Sequence, residues 1–263
     1  MASLEDSKGQ AARRILSSSF ICLTAWSYCL ALHAQPRDKS NFTLGAFGGF
    51  RESEYRGVRE EWLAVPFIQA RFGGLSFQGR GLSYAFPSDS LVSFETTLDY
   101  FSGGYESSDS SFLSGMSERH SSVHLGAGMS VRMPLRLKLN LSLNHDILGR
   151  SEGYEGRVGL SRFFFFGPPL QVILGAGMNY YSKNLVDYYY GVGSAEVAEQ
   201  RPRYIGSADW APYAQILIFY NFSKRWQLFG LINRNWQSSA VEKSPLTIDT
   251  ARTFYGLGLG LKF

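Results

Sequence analysis

The chain ends in the stretch YGLGLGLKF, residues 255–263, in which two kinds of side chain alternate. Leu257, Leu259 and Leu261 share one face with the terminal Phe263, while glycines and a lysine occupy the other face. A period of two with one apolar face is typical of a β-strand that separates two environments. The end of the chain therefore predicts a strand whose leucines face lipid and whose glycines face inward.

The position of the last aromatic residue supports a second prediction. Phe263 is the final residue, with Leu261 two positions and Gly258 five positions before it. This arrangement resembles the C-terminal signal that bacterial barrel-assembly machinery reads. We therefore predict that Gly258, Leu261 and Phe263 address the chain to that machinery and that the terminal strand closes a barrel.

The same alternation recurs upstream. Between residues 135 and 143 every second residue is leucine, and the residues between them are Arg136, Lys138, Asn140 and Ser142. Comparable segments cover 92–100, 123–131 and 170–180. They run for about 10 to 14 residues, longer than an average strand and suited to a tilted strand that crosses a membrane.

The connections between these segments alternate between short and long. Residues 133–134, 167–169 and 221–225 are tight, whereas 102–120, 183–208 and 238–250 are long and polar. Aromatic residues gather near the segment ends, where one edge of a ring is apolar and the other is wet. Short periplasmic turns, long outer loops and aromatic girdles are typical of an antiparallel up-and-down outer-membrane β-barrel.

The strand count follows from working backward from Phe263. Single-chain bacterial barrels have an even number of strands. We predict 12 strands, with one missed near the N-terminus or inside 183–208, and 10 as the alternative. Gly79-Arg80-Gly81 interrupts the alternation and is interpreted as a bulge. The recognised segments are 41–50, 62–72, 75–86, 90–101, 121–132, 135–147, 153–166, 169–182, 209–222, 225–237 and 251–263.

The N-terminal region predicts export. Arg13-Arg14 precede an apolar run over 15–32, and Ala34 offers a small-residue cleavage site. We predict a cleavable signal peptide over 1–34 and a barrel over 35–263, a membrane-anchoring helix being the alternative for the apolar run. Both cysteines, Cys22 and Cys29, lie in the leader, so the mature chain excludes disulfides and thiolate sites.

Composition narrows the function classes further. Removal of 1–34 leaves 23 basic and 20 acidic residues, a balance too mild and too scattered for a nucleic-acid partner. No metal-ligand spacing, phosphate loop or dinucleotide fingerprint occurs, so no cofactor is predicted. His145 is followed by Asp146-Ile147-Leu148, unlike the His, Ser and Asn of outer-membrane lipases, and we predict no catalytic residue and no enzyme.

Charged residues fall on the predicted inner face of neighbouring strands. They permit two interpretations, a lumen that favours anions or a plugged interior in which acids and bases pair, and we favour the second. The predicted lumen charges are Glu95, Asp99, Arg132, Arg136, Lys138 and Arg157.

Three stretches resemble the MipA/OmpV family of MltA-interacting outer-membrane proteins. Asp146-Ile147 with Gly153 resembles the family's D-[LIV]-x-x-x-x-x-G segment. Tyr190-Gly191-Val192 before Glu196, with Tyr204 following, resembles its Tyr-Gly-Val loop, and Ser244-Pro245 resembles its S-P-[IL] element. Glu242-Lys243 stand where the family commonly has an Asp before Ser-Pro.

The resemblance implies a non-enzymatic barrel in the cell outer membrane. One family member is described as a scaffold that joins a lytic murein transglycosylase to a murein synthase, and others are associated with adhesion, osmotic response or drug sensitivity. The implied partners are outer-membrane lipid, the barrel-assembly machinery and murein enzymes. A small-solute channel is the alternative function, and a lipid-modifying barrel enzyme is a weaker one.

Overall fold

A computed structural model describes residues 41–58, 61–79, 81–88, 91–248 and 251–263. The predicted signal peptide, 1–34, lies outside the described residues. Alternating inward and outward side chains organise the described chain into twelve strands. They are β1 (Asn41–Arg51), β2 (Glu61–Phe72), β3 (Leu75–Gln78), β4 (Gly81–Ala85), β5 (Val92–Phe101), β6 (Ser122–Met133), β7 (Leu137–Asp146), β8 (Tyr154–Phe165), β9 (Leu170–Tyr181), β10 (Asp209–Tyr220), β11 (Trp226–Trp236) and β12 (Ala251–Lys262).

Every strand pairs antiparallel with its neighbour in sequence, and β1 pairs with β12 to close the barrel. The closing register sets Thr43 opposite Lys262 and Arg51 opposite Phe254. The prediction of a closed up-and-down barrel with twelve strands is confirmed. We call the end with Phe263 and the short connections the turn end, and the opposite end the loop end.

The predicted single segment 75–86 is a hairpin. Residues 75–78 pair with 81–84, and Gly79 has a φ of +58°, a left-handed value that glycine adopts without strain. The interpretation of 79–81 as a bulge was wrong, because the break in alternation is a turn that reverses the chain. This hairpin supplies the twelfth strand, which is missing from the eleven predicted segments. Residues 183–208 contain a helix rather than a strand.

The turn between β6 and β7 corrects a second prediction. Leu135 and Arg136 have φ values of 60° and 58° and form the turn, so β7 begins only at Leu137. Arg136 therefore does not line the lumen from a strand. Its guanidinium lies 5.0 Å from the ring centre of Phe165 at the turn end of β8.

An apolar cluster fills part of the barrel interior. The rings of Phe67 and Phe229 lie 4.7 Å apart although β1 and β12 separate their strands. Glycines on β12 make room for these rings, since a Cβ at Gly258 would approach Phe229 to 2.2 Å and one at Gly256 would approach Phe47 to 2.1 Å. The cluster, here named the lumen cluster, comprises Phe47, Phe67, Ile173, Leu217, Phe219, Phe229, Leu231 and Phe254.

The outward face carries the apolar residues that the alternation predicts. Leu257 and Leu259 on β12 are exposed, as are Leu228 and Ile232 on β11. Aromatic rings pair near the strand ends, as for Tyr180 and Trp210 at 5.2 Å. This surface suits lipid rather than water. Among the described residues, no helix has the length and apolar character required to cross a membrane.

Phe263 extends the closing register by one contact. Its backbone N–H donates to the carbonyl of Phe42 at 2.8 Å, and the two rings lie 5.7 Å apart. Deleting Phe263 removes one backbone hydrogen bond and one ring contact, a loss of about 1–2 kcal/mol. We predict that the deletion abolishes most heat-modifiable folded protein in cells, while the purified chain still refolds in detergent.

Phe222→Ala serves as the control, because Phe222 is another exposed aromatic residue of the turn end. The deletion and this control are compared by gel mobility with and without heating. Normal accumulation of the folded form without Phe263 would refute its role as an assembly signal.

Candidate functional site at the loop end of the barrel

The long connections fold together over the loop end. Helix α1 (Lys183–Tyr190) lies between β9 and β10, and helix α2 (Ser239–Glu242) lies between β11 and β12. Their apolar side chains share one core with the β1–β2 and β5–β6 connections. We call this assembly the loop plug; its buried residues are Tyr55, Tyr105, Leu113, Met116, Leu185, Val186, Tyr189, Tyr190, Val192, Ala240, Val241 and Leu246.

Helix α1 packs closely against the β7–β8 connection. Ser182 caps the helix by accepting a hydrogen bond from the Leu185 N–H at 3.5 Å. Gly153 lies beneath the first turn, where a Cβ would come within 2.6 Å of the Leu185 Cβ. A side chain at position 153 would therefore push the helix off the barrel.

Asp146 organises the same connection from the end of β7. Its carboxylate accepts hydrogen bonds from the N–H of Leu148 at 3.0 Å and of Ser151 at 2.6 Å, and from the hydroxyl of Ser122 on β6. The side chain is almost fully buried. Because its oxygens are occupied by donors within the loop, Asp146 holds the loop shape.

Tyr190, the last residue of α1, links the β9–β10 connection to the β1–β2 and β11–β12 connections. Its hydroxyl donates to Glu54 at 2.6 Å, and its carbonyl accepts from the Ser244 hydroxyl at 2.7 Å. Glu54 in turn forms an ion pair with Arg252 at 2.9 Å. Glu54 and Arg252 could not be predicted as functional residues, because neither belongs to a local pattern and their partners lie far away along the chain.

The chain leaves α1 through Gly191 and Val192. The Gly191 N–H donates to the Asp187 carbonyl at 2.9 Å, and a Cβ at position 191 would approach that oxygen to 2.2 Å. Val192 then forms a β-bridge with Tyr204, whose hydroxyl donates to the Ala240 carbonyl of α2. The two helices are thus connected through a short stretch of extended chain.

Ser244 and Pro245 fold the return to β12. The Ser244 hydroxyl also accepts from the Leu246 N–H at 3.2 Å, while the Leu246 carbonyl accepts from the Arg56 N–H at 2.8 Å. Pro245 is half-buried within this turn. The adjacent Glu242 and Lys243 are exposed.

A second ion pair fastens the β5–β6 connection to the β9–β10 connection. Arg119 and Glu196 are joined at 3.0 Å, and Glu196 also accepts from the N–H groups of Ser117 and Gly193, each at 2.9 Å. Burial alone would raise the pKa of Glu196, but these donors and Arg119 outweigh it and lower the pKa below its ordinary value.

The predicted lumen charges separate into two levels. Arg157 donates to Asn179 at 2.7 Å and lies over the Tyr213 ring at 4.7 Å, near the loop plug. Asp99 on β5 lies opposite His124 on β6 in the strand register. Lys138 is buried and within electrostatic reach of Glu95, whereas Arg132 is exposed at the turn end.

Two neighbouring cavities lie beneath and beside the loop plug. The outer one, about 100 Å³, reaches from Arg51 to His120, and the deeper one, about 40 Å³, reaches Glu155 and Asn235. The residues common to both are Glu54, Tyr55, Ser102, Gly103 and Arg252. Burial raises the pKa of Tyr105, in the wall of the outer cavity, to about 12, so its phenol remains a donor at neutral pH.

The histidines occupy separate environments. His124 faces inward and stacks on Phe101 at 4.5 Å, while His145 faces outward and stacks on Tyr154 at 4.4 Å. His145 Nδ1 lies 3.0 Å from the Gly153 carbonyl. Among the described residues no three His, Asp or Glu side chains are grouped as metal ligands.

Comparison with known proteins identifies the family. The family model of the MltA-interacting protein MipA matches residues 44–263. The chain belongs to this MipA family. It is 26% identical over 229 residues to the MltA-interacting protein of Escherichia coli K12, covering 86% of this chain and 91% of that protein. It is 25% identical over 173 residues to the outer membrane protein OmpV of Vibrio cholerae, covering 65% and 66%.

Solved outer-membrane proteins align with the chain at low identity and with TM-scores below 0.5. OmpT, an outer membrane protein of Vibrio cholerae, aligns with a TM-score of 0.39 and 6% identity, over 88% of this chain and 99% of that one. A FadL homologue of Pseudomonas aeruginosa aligns with a TM-score of 0.42 and 10% identity, over 89% and 93%. The protein is an outer-membrane β-barrel of the MipA family.

The stretches that resemble the family meet in the loop plug. Tyr190 contacts Ser244 directly, Gly153 supports α1, and Asp146 shapes the loop that contains Gly153. The residues of these stretches thus fold the loop end. These contacts are structural, and they close the mouth of the barrel.

The Arg119–Glu196 pair predicts a pH dependence of the loop plug. Because the pKa of Glu196 is lowered on folding, its stabilisation is complete above the ordinary value of 4.5 and is lost as pH falls below it. The protection factors of the Ser117 and Gly193 amides, taken relative to the intrinsic exchange rate at each pH, should therefore fall on acidification.

In Glu196→Gln the same amides should exchange faster already at pH 7, because removal of a charge-assisted acceptor costs about 1–2 kcal/mol locally. The exposed Glu199→Gln, in the same connection, is the matched control. Equal protection at pH 3 and pH 7 in the unmodified protein would contradict the assignment.

Proposed function

We propose that this protein is a non-enzymatic scaffold that presents its turn end to murein-processing partners in the periplasm. The partly filled interior carries the proposal. The lumen cluster occupies the inner face of β1, β2 and β9–β12, and the loop plug covers the loop end. Such a barrel is a rigid platform whose outer surfaces, rather than a wide pore, are available for function.

The charge distribution supports the turn end as the surface that partners contact. The described short connections at the turn end contain bases and no carboxylate, and Asp89 of the β4–β5 connection is outside the described residues. Most described carboxylates lie toward the loop end. We name the turn-end bases the basic rim: Arg71, Arg132, Arg136, Lys224, Arg225 and Lys262.

A basic rim favours an anionic partner, both in steering its approach and in fixing its orientation. A relative that bears the name MltA-interacting protein supports a murein transglycosylase as that partner. The proposed arrangement requires the turn end to face the periplasm, which agrees with the predicted barrel topology. The proposed partners also include a murein synthase, the barrel-assembly machinery and the surrounding lipid.

Reversal of the rim charge tests the proposal. The barrel in nanodiscs is titrated with a purified lytic murein transglycosylase. In the variant that combines Arg132→Glu, Arg136→Glu, Lys224→Glu and Arg225→Glu, affinity should fall by roughly tenfold or more, since each exposed pair is worth up to about 1 kcal/mol. Binding by the unmodified protein should also weaken with salt.

The matched control reverses four exposed bases of the loop end, Arg150, Lys183, Arg203 and Lys243. It should bind as tightly as the unmodified protein. Equal loss in both variants would indicate unspecific attraction, and absence of binding by the unmodified protein would remove the murein transglycosylase from the proposal.

The two cavities, each with charged side chains in its wall, favour a small-solute channel as the second candidate function. The lumen cluster argues against it, since its rings pack across the interior below the cavities. We predict no stable ion-sized conductance from the purified protein in planar bilayers. The double variant Phe67→Ala with Phe229→Ala loses the closest ring pair of the lumen cluster. It should show ion conductance, either steady or in brief openings.

The lipid-facing Leu228→Ala is the control for this measurement. Each interior Phe→Ala costs about 3–5 kcal/mol, so folded protein is first verified by gel mobility. Stable conductance steps in the unmodified protein would favour the channel over the scaffold.

A further inference from the structure

The outer face of the barrel carries very little charge. Because side chains alternate along a strand, the register and the exposure of each residue define the lipid-facing positions. Among the strand residues whose side chains the structure describes, the arginines and lysines at such positions are Arg162 on β8 and Arg234 on β11. No aspartate or glutamate of these described residues occupies a lipid-facing position. A charge facing lipid is costly near the middle of the membrane and tolerated near its interfaces.

The register places Arg162 on the lipid face, close to the turn end. It lies opposite Leu137 of β7 and Leu174 of β9, and Leu174 is exposed. The next residue, Phe163, packs against the lumen cluster, so Arg162 points to the opposite side of the sheet. From Arg162 to Phe165, the last residue of β8, the strand covers roughly 10 Å at about 3.3 Å per residue.

The guanidinium of Arg162 is directed toward the turn end. Its Cζ lies 5.0 Å from the ring centre of Phe164, which follows Arg162 by two positions on the same outward face. Because β8 runs from the loop end to the turn end, this contact holds the charge on the side of the membrane interface. Long basic side chains that face lipid extend to the nearer interface in this way.

Arg162 lacks an acceptor within the protein. Its guanidinium forms no hydrogen bond and no ion pair within the described residues, which include β7, β9 and the turns over 134–136 and 166–169. Arg234 differs, because it donates to the Thr253 hydroxyl at 2.9 Å. A guanidinium has five N–H donors. Since no described strand presents a carboxylate to lipid, the acceptor for Arg162 comes from outside the chain.

The surroundings of Arg162 fit an anion that is attached to apolar chains. At the turn end the neighbouring Phe166 and Leu135 are exposed, and toward the middle of the wall Leu160 and Leu174 are exposed. A phosphodiester offers two unesterified oxygens, which match the fork of N–H groups on a guanidinium. The two acyl chains of a phospholipid would then continue over the apolar wall.

We propose that Arg162, held by Phe164, forms a phospholipid site on the outer wall at the turn end. The phosphodiester accepts hydrogen bonds from the guanidinium, and an acyl chain lies along Leu160 and Leu174. The recognised group is the phosphodiester, which phosphatidylethanolamine and phosphatidylglycerol share. Arg162 is not part of the basic rim, so the site is independent of the proposed scaffold surface.

Solid-state NMR tests the contact directly. The protein is labelled with ¹³C at the guanidinium carbon of arginine and reconstituted into liposomes of phosphatidylethanolamine and phosphatidylglycerol. Recoupling to ³¹P attenuates the signal of a guanidinium that binds a phosphate. The signal that is missing from the Arg162→Gln variant belongs to Arg162, and it should be attenuated. An Arg162 signal without attenuation would overturn the site.

Stabilisation by lipid separates a ligand role of Arg162 from a structural one. In octyl glucoside, Arg162→Gln should keep the unfolding midpoint of the unmodified protein, because the guanidinium has no hydrogen bond or ion pair to lose. Added phosphatidylglycerol should raise that midpoint in both proteins. The concentration that gives half of the effect should be roughly fivefold higher for Arg162→Gln.

Arg150→Gln is the matched control, because Arg150 is an exposed arginine of the β7–β8 connection at the loop end. It should respond to phosphatidylglycerol as the unmodified protein does. An unchanged lipid response in Arg162→Gln would overturn the site, whether or not the midpoint in detergent has moved. An equal loss in both variants would overturn it too, since it would indicate general attraction between bases and an anionic lipid.

Two further lipids test the head-group assignment in the same assay. Phosphatidylethanolamine, which has the phosphodiester but no net charge, should distinguish Arg162→Gln from the unmodified protein as phosphatidylglycerol does. Monoglucosyldiacylglycerol, which has no phosphate, should act equally on both proteins. A difference with the glucolipid as large as with phosphatidylglycerol would overturn recognition of phosphate. A difference with phosphatidylglycerol alone would overturn the phosphodiester in favour of net charge.

Discussion

Closure of the sheet between β1 and β12 is the constraint on which the other features depend. In lipid, backbone N–H and C=O groups must find partners within the protein, and a closed antiparallel sheet provides them. The register that sets Thr43 opposite Lys262 fixes which side chains face inward on both strands. A slip of β12 by one residue would turn Phe254 toward lipid and the leucines of β12 toward the lumen.

Once the barrel closes, its interior must be filled. The solution is asymmetric, because β12 contributes Gly256 and Gly258 where the rings of Phe47 and Phe229 need space. Glycine residues on one strand and phenylalanine residues on its neighbours are thus complementary parts of one packing arrangement. The glycines of the terminal strand, whose alternation with leucine first indicated a barrel, also determine how far the phenylalanine rings can extend into the lumen.

Local periodicity made the wall predictable, and its limits explain the errors. Alternation with period two identifies each long strand because the signal repeats within one segment. It failed at Gly79-Arg80-Gly81 because a tight turn and a bulge both interrupt the phase, and the short strands on each side carry few repeats. It placed Arg136 in a strand because a two-residue turn continues the leucine pattern.

The loop end was accessible only through family resemblance. Tyr190, Gly191 and Ser244 were recognised as a pattern, but their contact joins residues 54 positions apart, and Glu54 lies 136 positions from Tyr190. No local rule connects such residues, since each polar side chain alone fits an exposed loop equally well. Long-range hydrogen bonds determine the plug, and only coordinates reveal which donors meet which acceptors.

The residues that resemble the family and the proposed partner surface lie at opposite ends of the barrel. Asp146, Gly153, Tyr190 and Ser244 fold the loop end, whereas the basic rim lies at the turn end and contributes none of the family stretches. The residues that resemble the family thus stabilise the loop end and are not part of the proposed partner surface. A fold of this kind does not by itself define a partner, so the proposed recognition rests on exposed charges that the barrel does not require.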